Sequence, residues 1–100
     1  MITHVVVFWT DKPYASNRDA LLLGAEKLST IPGTLNYRSG PPLPSLRGAV
    51  DDSFTVAISM DFASQADADI YQHHPLHKEF IETCVKPHAR RFIVYDFGQA

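Results

Sequence analysis

Ser53-Phe54-Thr55-Val56-Ala57-Ile58-Ser59-Met60-Asp61-Phe62 alternates without a break. Phe54, Val56, Ile58, Met60 and Phe62 fall on one side, and Ser53, Thr55, Ala57, Ser59 and Asp61 on the other. A period of two is the signature of a strand with one face buried. The sheet that holds this strand therefore has a strongly apolar face, which must be covered by other elements of the chain.

Those elements lie on either side. Ile2 to Trp9 is β-branched and aromatic with no breaker, and predicts a strand buried on both faces. Ser16, with Asp19 three positions on, is a capping signal for a helix through Thr30. Leu21, Gly24, Ala25 and Leu28 form its apolar stripe, and Pro32-Gly33 stops it. Thr34 to Ser39 predicts a shorter strand. Gly40-Pro41-Pro42-Leu43-Pro44 begins a loop to Asp52, since prolines lack the ladder donor. Ser64 with Asp67 opens a helix through Tyr71. Pro75 restricts His74 to extended backbone and starts a second piece to about Val85, which ends before Lys86-Pro87. Ala89 to Phe97 predicts the last strand.

The resulting β-α-β-β-α-β order is that of an α+β, ferredoxin-like subunit: a four-stranded antiparallel sheet with both helices on one face. The opposite face carries Val5, Val7, Ala57 and Ile93, with Thr3, Thr55 and Ser59. It is apolar enough to predict a homodimer joined sheet to sheet.

Composition narrows the function classes. One hundred residues, 45% hydrophobic and 20% charged, predict one domain over residues 1–100. A net charge of -2 with no basic stripe argues against nucleic acid. The Arg90-Arg91 pair reads as solvated or paired at a strand start. Val5 to Trp9 is too short to cross a membrane and lacks the flanks of a secretory leader. Cys84 is the single cysteine, so no internal disulfide can form, which fits a reducing, cytoplasmic setting.

Chemistry concentrates in Tyr71-Gln72-His73-His74-Pro75-Leu76-His77, which holds three of the five histidines. His4 and Asp96 fall on the helix-facing sides of neighbouring antiparallel strands, near the start of one and the end of the other, and are expected beneath the helices. Tyr71 and His77 approach from the helices. A carboxylate orients an imidazole, an imidazole near neutral pH moves protons, and a tyrosine hydroxyl steadies an oxyanion. The expectation is cofactor-free proton transfer at a site where His77, Asp96, Tyr71 and His4 converge, if that site is open to a substrate. The bland reading makes His4 and Asp96 a satisfied pair and Tyr71 a core aromatic. His73 and His74 read as capping or solvent-facing. A metal is disfavoured, because Pro75 disturbs the helix between His73 and His77 and no cysteine or acidic partner flanks them at ligand spacing. Gly24 on the buried stripe leaves room for a close contact or a pocket, while Trp9, Tyr14, Asn36 and Tyr37 read equally as the decoration of a binding mouth and as interface or edge residues.

His4 with its apolar strand, Ile31-Pro32-Gly33, Gly40, Tyr71-x-x-His74-Pro75-x-His77 and Tyr95-Asp96-Phe97 together resemble the stress-responsive dimeric α/β-barrel (Dabb) family over nearly the whole chain. The resemblance implies two sheets meeting as a dimeric barrel. It also implies kinship with plant olivetolic acid cyclase, which closes a linear polyketide by aldol condensation. On that kinship the catalytic histidine matches His77, its supporting aspartate Asp96, its pocket tyrosine Tyr71 and its first-strand histidine His4. Two lining positions depart, at Gly24 and Val56. The substrate pocket expected from this frame holds Gly24, Val6, Phe8, Val56 and Ile58. The functional expectation is a polyketide-cyclase-like or lyase-like enzyme on a small apolar or carbonyl-bearing compound. The alternatives are a non-catalytic ligand-binding or stress-response dimer and, from the wider fold class, a cofactor-free monooxygenase.

Overall fold

The structure, a computed structural model, describes residues 1–99. Strands β1 (Ile2–Trp9), β2 (Leu35–Gly40), β3 (Val56–Phe62) and β4 (Arg91–Gly98) form one antiparallel sheet in the order β2-β3-β1-β4. Helices α1 (Tyr14–Ala25), α2 (Gln65–His73) and α3 (Pro75–Phe80) cover one face. Val56, Ile58, Met60 and Phe62 of β3 are buried beneath them, as the alternation predicts. Leu21, Ala25 and Leu28 descend onto that layer from the first helical segment. The β1–β4 register sets His4 opposite Asp96.

Local chemistry explains where the elements depart from expectation. β1 is buried only at alternate positions, because nothing in the subunit covers Val5 and Val7. β3 begins at Val56 rather than Ser53. The Ser53 N–H bonds to Asp51 Oδ1 at 2.9 Å, a local turn that competes with the ladder. Phe54 consequently leaves the core face and lines a depression with Val5 and Ala57 on the open side.

Ser16 does not cap α1. The helix starts at Tyr14 behind an extended Pro13, and the Asn17 N–H already reaches the Pro13 carbonyl at 3.2 Å. Beyond Ala25 the chain tightens into a 3₁₀ helix, Glu26–Thr30, where the Ser29 and Thr30 hydroxyls each donate at 2.7 Å to carbonyls three residues back.

Ser64 caps α2 by accepting from the Asp67 N–H, and α2 continues two residues past Tyr71. His74 is extended, and its Nδ1 accepts from the Leu76 N–H at 3.1 Å, so it caps α3 with Pro75 at the first helical position. The following helix does not end before Lys86-Pro87. Ile81–Val85 winds as a π helix and an α turn, Lys86–His88, follows. A proline ring strikes the carbonyl four residues back in a regular α-helix, and the wider π turn relieves that contact.

Candidate functional site

The site is built where β1, β4 and the α2–α3 break meet. Tyr71 ends the buried side of α2 and is 1% exposed. The extended His74-Pro75 step then turns the chain, so that His77 on α3 packs back against Tyr71 with the rings tilted and their centroids 4.7 Å apart. From below, the buried His4 of β1 meets Tyr71 edge-on at 5.5 Å. The four residues singled out in the sequence do converge, but their pairing differs from expectation.

Asp96 serves His4, not His77. The His4 Nδ1 lies 2.5 Å from Asp96 Oδ1. An ionised carboxylate only accepts, so this nitrogen carries the proton and the ring is fixed in orientation. Nor is Asp96 beneath the helices. It lies opposite His4 on the edge strand β4, and its side chain is 59% exposed. The Nδ1 of His77, by contrast, is buried with no hydrogen-bond partner.

Electrostatics separate the roles of these groups. Burial lowers the His77 pKa below the ordinary imidazole value, and the neighbouring His4 lowers it further, while the backbone of Gln72 opposes the shift. The shift favours the neutral imidazole, the form of the ring that can take up a proton. Burial raises the Tyr71 pKa well above the usual phenol value, with Tyr37 and Asp96 adding to it. Its hydroxyl stays protonated and available as a donor.

These groups open on a cavity of about 200 Å³ between helices and sheet. Val6, Phe8 and Ile58 floor it, and His4, Tyr71 and His77 line one end. Asp96 instead lines a smaller neighbouring depression with Ile2, Phe62 and Gln65, which shares His4 and Gln72 with the main cavity. A mostly apolar chamber with a few convergent titratable groups is the usual form of a small-molecule site. Among the described residues, no group of three or more His, Cys, Asp or Glu side chains is placed to hold a metal ion. No helix there is long and apolar enough to cross a membrane.

The stress-responsive A/B barrel domain, Dabb, matches residues 2–98. This chain belongs to the Dabb family. Solved structures similar to this Dabb protein include a Dabb family protein with a ferredoxin-like fold from Mesorhizobium loti. It is 28% identical with a TM-score of 0.78, and the match covers 99% of this chain and 96% of that one. A dimeric ferredoxin-like protein of unknown function from Thermobifida fusca is 20% identical with a TM-score of 0.77, covering 98% and 90%. The hydroxynitrile lyase from Passiflora edulis is 21% identical with a TM-score of 0.79, covering 96% and 90%. No curated protein matches the sequence.

Two expected lining residues of this Dabb domain lie elsewhere. Val56 is fully buried in the core and does not reach the cavity. Gly24 faces the π segment: a Cβ there would collide with Cys84 Sγ and sit 3.5 Å from Phe80. Gly24 is the point where two helical segments pack closely, the contact rather than the pocket. The sequence reading also missed Gln72, Phe80, Ile81, Val85, Phe92 and Val94. Ile81 and Val85 carry a helical-spacing signal, and Phe92 and Val94 a strand alternation, that could have found them. Gln72 carries none.

Proposed function

We propose that this Dabb protein is a cofactor-free acid/base enzyme acting on a small carbonyl-bearing compound, with aldol or lyase chemistry. The observation that carries the reading is that His77, with a depressed pKa and an Nδ1 without a partner, packs beside a Tyr71 whose hydroxyl stays protonated, both at one end of an apolar chamber. His77 removes the proton next to the carbonyl. The electron pair moves to the carbonyl oxygen, and the Tyr71 hydroxyl steadies the resulting enolate. The enolate then attacks an electrophile or is reprotonated by the His77 imidazolium. His4, held by Asp96, backs the Tyr71 ring and keeps its hydroxyl in place. Phe8, Phe92 and Val94 provide the apolar walls.

The working unit in this proposal is a homodimer in a cytoplasmic setting. The open face of the sheet bears Val5, Val7, Ala57 and Ile93 and adds the exposed Tyr95 and Phe97. The Thermobifida fusca protein of the same fold is dimeric. A second reading, a non-catalytic binder of small apolar ligands, draws on the absence of a carboxylate behind His77.

The two are separated by exchange of α-protons of acetylacetone in D₂O, followed by NMR, with mandelonitrile cleavage as a second assay because the Passiflora protein is a hydroxynitrile lyase. The wild-type chain should accelerate at least one reaction over buffer, and His77→Ala should lose that acceleration while melting within a few degrees of wild type. A chain that accelerates neither, or a His77→Ala variant that keeps full rate, favours the binder.

A further inference from the structure

At the other end of β1 from His4 lies a second depression, of about 430 Å³. It is walled by Trp9, Tyr14 and Phe54, with Thr55 at its base and Arg18 and Arg90 in its lining. No side chain lines both this depression and the His77 cavity. The sequence analysis singled out Trp9, Tyr14 and the Arg90-Arg91 pair, and the proposed reaction uses none of them.

The charge in this lining is one-sided. It contains two guanidinium groups and no carboxylate, in a chain whose net charge is -2. Each arginine meets an aspartate from outside the lining, Arg18 through Nε with Asp19 at 3.0 Å and Arg90 through Nε with Asp11 at 3.2 Å. Such exposed pairs contribute little, and they leave the terminal nitrogens of both forks uncommitted among the described residues. The Arg91 guanidinium lies 4.5 Å from the Trp9 ring centroid, and its charge also acts on the neighbouring Asp51 carboxylate. Trp9 donates its indole N–H to Ser53 Oγ at 3.1 Å, which fixes the ring as a wall, and the serine side chain is in turn hydrogen-bonded to the Asp51 carboxylate.

We propose that this depression is a binding site for an organic anion with a flat, unsaturated body, the chemical class of an aromatic carboxylate. Arg18 and Arg90 take the carboxylate, for which the planar guanidinium fork is matched in geometry. Trp9, Tyr14 and Phe54 take the ring by stacking and edge contact. Pro41, Pro42 and Phe54 also line the depression over the open sheet face, so in a sheet-to-sheet dimer the site lies at the rim of the contact.

The test is a titration of the full chain with 2-naphthoate, and with the neutral analogue 2-naphthylmethanol, by calorimetry and NMR. Trp9 is the single tryptophan, so its indole N–H gives one assignable resonance. Naphthoate should move that resonance and leave the His77 ring signals in place. The alcohol, and the R18Q/R90Q double variant with naphthoate, should each bind about tenfold more weakly or worse. Raising salt should weaken wild-type binding, a readout that does not depend on the variant folding. Equal affinity for the alcohol, unchanged affinity in the double variant, or movement of His77 in place of Trp9 would each overturn the proposal. So would inorganic phosphate binding as tightly as naphthoate, because the flat body would then count for nothing.

Discussion

At the residue scale, the decisive fact is which histidine owns the carboxylate. His4 is held by Asp96, and His77 stands alone in a desolvated position. The pH dependence follows in sign. The folded pKa of His77 lies below its unfolded value, so the folded chain binds fewer protons around pH 6 and stability falls as pH drops below the ordinary imidazole pKa. Melting temperature should decline between pH 7.5 and pH 5, and part of that decline should vanish in His77→Phe. An identical profile in the variant would remove His77 as its source. Turnover should follow the same group, with an acid limb below pH 6.5 and a plateau through neutrality, since Tyr71 does not ionise there.

The His4–Asp96 pair makes a second residue-scale prediction. Asp96→Ala should cost about 1 kcal/mol, a modest figure because the carboxylate is largely exposed. Urea unfolding of Asp96→Ala, His4→Phe and the double variant should be non-additive, whereas Asp96→Ala with His77→Phe should add nearly linearly. Strong coupling to His77 instead would mean that Asp96 acts on both rings. The presence of a His–Asp pair was legible, because strand neighbours and parity put His4 and Asp96 side by side. That His77 stays clear of Asp96 was not, because α3 leaves the His74-Pro75 step in a direction that only its packing on Tyr71 fixes.

At the scale of elements, α1 and the π segment are held together by a missing side chain. Gly24→Ala gains about 1 kcal/mol of helix propensity but overpacks a contact against Cys84, which costs about 1–3 kcal/mol. The net should be destabilising. Adding Cys84→Ala should recover the loss and reveal the propensity gain, as read by chemical denaturation of the three variants. A Gly24→Ala chain as stable as wild type would show that the Cys84 side chain rotates away at no cost. Sequence periodicity placed Gly24 on the buried stripe correctly. It could not tell pocket from contact, because what faces a stripe depends on how the opposing helix winds. The π turn that brings Cys84 forward has no periodic signature and was missed, as was the continuation of the helix through Pro87.

At the scale of the whole molecule, the open face of the sheet dominates. Val5, Val7, Ala57 and Ile93 form its centre, and Tyr95 and Phe97 are 55% and 63% exposed. In the proposed dimer Val7→Asp buries an unpaired charge and should shift the chain toward monomer or unfold it. Sedimentation of the wild-type chain at micromolar concentration should give twice the subunit mass; a stable monomer would sink the dimer.

The sequence by itself determined the element order, the buried face of β3, the break at His74-Pro75 and the family. All of these follow from local periodicity, backbone restriction and short motifs, which act between residues near in the chain. Only the tertiary structure decided that Asp96 holds His4, that Val56 and Gly24 stay out of the cavity while Phe92 and Val94 enter it, and that Arg18 and Arg90 share one depression. Each of these joins residues distant in sequence, and each depends on how far the helices reach across the sheet. That reach is set by the packing of whole elements, which no local pattern encodes.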